Sequence, residues 1–130
     1  IALAKDKGFQ GVTRHLMPRL LSEAALRDEA IIADVLSMAA DIGRVGFVQQ
    51  QTAIMGRRAQ HDTLASFAAP VLVLCGNADV LTPPNMSVEM AGLAPRAELC
   101  LLNGIGHLSS IEAPEAVFHA LESLFELAAD

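Results

Sequence analysis

Three observations point to an α/β architecture with helices first and a short parallel sheet after them. Apolar residues recur at helical spacing up to about residue 60. From Ala69 onward the texture becomes strand, loop, helix, strand, loop, helix. Both continuous apolar runs of that second part end in loops containing glycine. Residues 1–60 are accordingly expected to form one helical segment and residues 61–130 an α/β segment.

In the first segment, Val12, Leu16, Leu20 and Leu21 suggest a helix that Pro18 should kink or bound. Ile32, Val35, Leu36, Ala39, Ile42 and Phe47 lie on one face of a second helix, with Asp34, Asp41 and Arg44 between them. Gly43 and Gly46 weaken that helix by roughly 1 kcal/mol each relative to Ala, and mark a bend or a close packing point. Arg57-Arg58, the one basic doublet, reads as a solvated helix end.

In the second segment, Pro70 precedes Val71-Leu72-Val73-Leu74-Cys75, the unbroken apolar run of a parallel strand covered on both faces. Gly76 ends it. Thr82 is expected to cap a helix that accepts Pro83 and Pro84 in its first turn, turns Val88, Ala91 and Leu93 inward and stops at Pro95. A second buried strand, Glu98 to Leu102, leads into Asn103-Gly104. Pro114 opens the last helix, with Glu115 near the positive end of its dipole and Val117, Leu121, Leu124 and Phe125 on one face.

Composition narrows the function. The 130 residues suffice for one ordinary core, yet 52% are hydrophobic and mean hydropathy is +0.40. That is high for a free-standing domain of this size, so some apolar surface is expected to meet a partner. No run approaches the roughly 20 apolar residues of a membrane-crossing helix. A net charge of −6 with nine scattered Lys and Arg excludes a nucleic-acid binder of the usual basic kind. The residues from Ile1 onward give no evidence of a secretory leader, and none is expected. Cys75 and Cys100, inside apolar runs, read as packed reduced thiols, and the expected setting is cytoplasmic.

Two loops carry chemistry. Neighbouring parallel strands end on the same edge of a sheet, where α/β proteins place their ligands. Asp79 in Gly76-Asn77-Ala78-Asp79 and His107 in Gly104-Ile105-Gly106-His107 should therefore open onto one rim. There a carboxylate can fix the tautomer of an imidazole and stabilise the imidazolium formed in proton transfer. Glu112 is expected to support this loop or the helix start. His15, His61 and His119 lack a spaced partner and read as surface or structural. No His or Cys spacing suggests a metal site.

The stretch Pro70 to Phe125 resembles the C-terminal part of α/β-hydrolase fold enzymes. PVLVLCGNADVLTPP, then EMA at Glu89 to Ala91, then GIGHLSSIEAPEAV keep the register of that family. Gln49 to Phe67 resembles the segment returning from its helical cap to the sheet. The resemblance implies a helical cap over residues 1–60, followed by the last two parallel strands and helices of the hydrolase sheet. It also implies Asp79 as triad acid and His107 as general base. Within the family the chain is similar to small carboxylic ester hydrolases, including the pimeloyl-carrier-protein methyl ester esterases.

The family's Gly-x-Ser-x-Gly nucleophile turn and oxyanion-hole turn do not occur in these residues. None of Ser22, Ser37, Ser66, Ser87, Ser109, Ser110 and Ser123 fits a strand-to-helix turn aimed at the rim. The chain is thus expected to supply the Asp and His of a Ser-His-Asp triad, to be inactive alone, and to work on a small ester-like substrate without a cofactor or metal. Its expected partner is an N-terminal hydrolase portion or a second copy, since the outer edge of the first strand would otherwise lie exposed; neither nucleic acid nor membrane is expected. Phe9, Met17, Met38 and Phe47 are candidates for lining an acyl pocket. C–C, epoxide and halide chemistry stay open beside ester hydrolysis, with Ser or Asp as the nucleophile. A second function class is a non-catalytic hydrolase-like module that binds a partner protein or a small apolar ligand.

Overall fold

The computed structural model describes residues 12–129, with side chains through residue 126. A 3-10 turn at Arg14–Leu16 leads into α1 (Met17–Leu20), and a second turn at Ala25–Arg27 precedes the long helix α2 (Glu29–Met55). Then follow α3 (His61–Ala65), β1 (Val71–Gly76), α4 (Pro84–Leu93), β2 (Ala97–Leu102), α5 (Ser109–Glu112) and α6 (Pro114–Ala129). Phe9 lies outside the described residues. Among them, no helix is long and apolar enough to cross a membrane.

The expected first helix is shorter than its apolar spacing suggests. Pro18 sits in the first turn of α1, where its missing N–H costs nothing, so it starts the helix instead of kinking it. Asp28 caps α2 by accepting from the amides of Ala30 at 2.9 Å and Ile31 at 3.4 Å. The bend anticipated at Gly43 is present: its φ of 62° and ψ of 178° break the helical path inside α2, a conformation essentially reserved for glycine.

Met17, Leu21, Ala25, Ile32 and Val35 form the buried core of the helical segment, and Leu108 and Ile111 pack against it. Those two residues belong to the chain just after His107, so this core also fixes the second loop. Met17 is only 2% exposed. Burying a side chain of that size contributes about 1.5–3 kcal/mol. Ile42, by contrast, is exposed just before the Gly43 break.

β1 and β2 pair in parallel, with Val71 opposite Ala97 and Gly76 opposite Leu102. Their C-terminal ends are therefore level. α4 packs on both strands and α6 on β1. This leaves Leu99 and Leu101 exposed, so β2 is less covered than its apolar sequence suggests. Among the described residues β1 has no strand on its other edge.

Two helix faces also differ from expectation. α4 begins at Pro84 with Pro83, not Thr82, in the capping position, and it turns Ser87 and the following Ala94 inward while Val88 is 51% exposed. The small side chains let the helix lie close to the sheet. On α6, Val117 and Leu124 are half-buried, whereas Leu121 and Phe125 are exposed because the two-stranded sheet is too narrow to cover that face.

Candidate active site

The two loops leaving the level strand ends are stitched together by their backbones. Asn77 donates its amide to the Leu102 carbonyl at 2.9 Å, and Ala78 donates to Ile105, also at 2.9 Å. The Asn77 side chain extends the seam: Nδ2 donates to Asn103 Oδ1 at 2.9 Å, and Oδ1 accepts from the Gly104 amide at 2.7 Å. At Gly76 the loops touch so closely that a methyl group would overlap the carbonyl oxygens of Ile105 and Gly106. Glycine is needed there for space.

This seam brings Asp79 and His107 together. His107 Nδ1 lies 2.8 Å from Asp79 Oδ2. The Asp79 side chain is 4% exposed and the imidazole 30%. An ionised carboxylate only accepts, so Nδ1 carries the proton and Nε2 presents its lone pair. Among the described residues no serine hydroxyl bonds to the imidazole.

Asp79 is held by its own loop. Oδ1 accepts from the amides of Leu81 at 2.8 Å and Thr82 at 3.0 Å, an Asx-type turn closed by the side chain. Thr82 Oγ1 donates to Asp79 Oδ2 at 2.7 Å and stands 3.2 Å from His107 Nδ1. Burial pushes the Asp79 carboxyl up, but the Thr82 amide, His107, the Thr82 hydroxyl and the Leu81 amide outweigh it and hold the group below the ordinary carboxylate range. Thr82, which the sequence presents as a helix cap, thus bonds to Asp79 and stands beside His107. Asp followed three residues later by Thr is the signal that could have found it.

Glu112 reaches back to the His107 loop, accepting from the Gly106 amide at 3.2 Å and the Ser22 amide at 3.1 Å. The three lining candidates that fall among the described residues lie in different settings. Met17 is enclosed in the helical core; Met38 is 52% exposed and Phe47 half-buried, both on α2. The other histidines lie at the surface, His61 3.6 Å from Glu89 and His119 3.0 Å from Glu122. Cys75 and Cys100 are unpaired thiols. Among the described residues no group of three or more His, Cys, Asp or Glu could hold a metal ion.

A family model described as TAP-like protein matches residues 48–127, the stretch that contains both loops. Over 60 residues, 46% of this chain and 23% of the relative, the sequence is 40% identical to a putative non-heme bromoperoxidase, BpoC, of Mycobacterium tuberculosis. The structure resembles that of a thermophilic esterase from Thermogutta terrifontis, with a TM-score of 0.81 and 28% identity over 88% of this chain and 43% of the other. It also resembles the crystal structure of BpoC, with a TM-score of 0.70 and 26% identity over 96% of this chain and 50% of that one. The chain therefore spans half or less of the length of these relatives.

Proposed function

Because the chain belongs to the TAP-like family of α/β-hydrolases, whose model spans residues 48–127, we propose that it supplies the acid and base of a Ser-His-Asp hydrolase acting on a carboxylic ester or related small substrate. The observation that carries this reading is the 2.8 Å contact between His107 Nδ1 and Asp79 Oδ2. With Nδ1–H committed to the carboxylate, Nε2 is the free acceptor for a hydroxyl proton. The nucleophile would come from a segment outside these 130 residues, in keeping with the greater length of the relatives.

In the complete site His107 takes the hydroxyl proton as the oxygen attacks the acyl carbon. It returns that proton to the leaving alcohol, then deprotonates the water that cleaves the acyl-enzyme. Asp79 stabilises the imidazolium at each transfer. The relatives' names include both an esterase and a bromoperoxidase; ester hydrolysis is favoured because this relay moves one proton to and from a hydroxyl, as acyl transfer requires. Residues 1–60 would form the helical cap, with Met38 and Phe47 toward an acyl group, and residues 61–130 the hydrolase core. The nucleophile-bearing segment would also cover the open edge of β1. A cytoplasmic setting fits the unpaired thiols of Cys75 and Cys100.

The test is turnover of a p-nitrophenyl ester by the chain joined to its nucleophile-bearing segment. Changing His107→Ala should abolish all but a residual rate, and an unchanged rate would refute the assignment of the base.

A further inference from the structure

We propose that Glu112 is a positioning residue, a carboxylate clasp that locks the His107 loop onto the chain at Leu20–Ser22 and so sets where the imidazole stands. This rests on the reading of His107 as the base. Three consecutive amides around the imidazole are tied to the clasp. Gly106 donates to Glu112 Oε2 at 3.2 Å, and His107 and Leu108 both donate to the Leu20 carbonyl, at 3.1 and 3.2 Å. The same Oε2 accepts from the Ser22 amide at 3.1 Å. One oxygen thus joins two segments far apart in sequence, at the point where the helical part meets the base.

The fit there is tight. A Cβ on Gly106 would stand 2.6 Å from the Ser22 nitrogen, 2.7 Å from Glu112 Oε1 and 2.8 Å from the Leu21 carbonyl carbon, so only glycine lets the segments close. Glu112 Oε1 is buried without a hydrogen-bond partner among the described residues. A buried acceptor left unpaired is costly, and packing alone would favour an apolar side chain at this position. The two amides held by the other oxygen account for the carboxylate. Any displacement of Leu20–Ser22 is then passed to His107 through the clasp, and the effect falls on the chemical step.

The test uses the chain joined to its nucleophile-bearing segment, with three variants. Glu112→Gln keeps an oxygen at the right reach and removes the charge. Glu112→Asp keeps the charge and withdraws the oxygen by one methylene. Glu112→Ala removes both. The Gln variant should keep kcat within about threefold, while Asp and Ala lose roughly ten- to a hundredfold in kcat with little change in KM, the scale of a misplacement of about 1 Å. Amide exchange at Gly106 and Ser22 should quicken in Asp and Ala and stay slow in Gln. An active Asp variant beside an inactive Gln variant would overturn the proposal, because charge and not reach would then matter. So would an Ala variant with unchanged kcat and slow exchange. Should Ala fail to fold, the Asp and Gln pair decides. If His107→Ala itself leaves the rate unchanged, the reading of the base fails, while the exchange comparison still decides whether the clasp exists.

Discussion

His107 Nδ1 stands 2.8 Å from Asp79 Oδ2, although 28 positions separate the two residues in sequence. The level ends of β1 and β2 make that contact possible, and it holds the imidazole in one tautomer. Changing Asp79→Asn should leave the loop shape nearly intact but offer Nδ1 an amide that can donate as well as accept. The tautomer with Nε2 protonated then becomes favourable, and the nucleophile loses its base. Ester turnover by the chain joined to its nucleophile-bearing segment should fall by roughly 10³–10⁴-fold with KM little changed. A loss below tenfold would mean that Asp79 does not orient the base.

The same carboxylate ties stability to pH. The folded protein holds the Asp79 carboxyl below its ordinary value of 3.8, so its contribution to stability is fully present above that value. As pH falls through the lower folded value, the contribution is lost. Urea midpoints of the chain and of Asp79→Asn, measured from neutral pH to pH 2, should differ most at the neutral end and converge in acid. Parallel curves across that range would count against the donor set described for Asp79.

Thr82 Oγ1 lies 2.7 Å from Asp79 Oδ2 and 3.2 Å from His107 Nδ1, so its hydroxyl helps orient both partners. Changing Thr82→Val preserves the branched shape and removes this one group. Because Thr82 is exposed and water can partly replace the hydroxyl, the loss corresponds to one ordinary hydrogen bond, about 0.5–1.5 kcal/mol. That is a two- to tenfold fall in kcat. Thr82→Ser should recover most of it, and a Ser variant as impaired as Val would show that the hydroxyl alone does not account for the role of Thr82.

The contrast between Thr82 and Asp79 shows what the sequence reveals and what it conceals. Asp79 and His107 are legible because each follows an apolar run, and strand ends in a parallel sheet share an edge. Thr82 stands before two prolines and a helical pattern, where a capping threonine is the ordinary expectation. Its actual role depends on the Asx-type turn at Asp79, which redirects the hydroxyl toward the carboxylate. Exposed faces such as Leu99, Leu101 and Phe125 are equally opaque, because apolar spacing tells which residues share a face but not whether anything covers it. Met17 illustrates the same limit in reverse: an apolar residue on a helix reads alike whether it lines a pocket or fills a core.

Gly76 is where the two loops come closest, and its replacement tests that approach directly. In Gly76→Ala the new methyl would overlap the carbonyl oxygens of Ile105 and Gly106. Neither can retreat freely, since Ile105 O accepts the Ala78 amide at 2.9 Å and the Gly106 amide is held by Glu112. Overpacking of this kind costs about 1–3 kcal/mol, and rigid backbone on both sides favours the upper end. Gly92→Ala is the matched control: its Cβ meets nothing within 4 Å, and the position lies inside α4. There alanine should stabilise by about 0.5–1 kcal/mol, by reducing the freedom of the unfolded chain. Urea unfolding of the two variants should therefore shift the midpoint in opposite directions. Equal shifts would mean that the seam between the Asp79 and His107 loops is looser than the hydrogen bonds across it indicate.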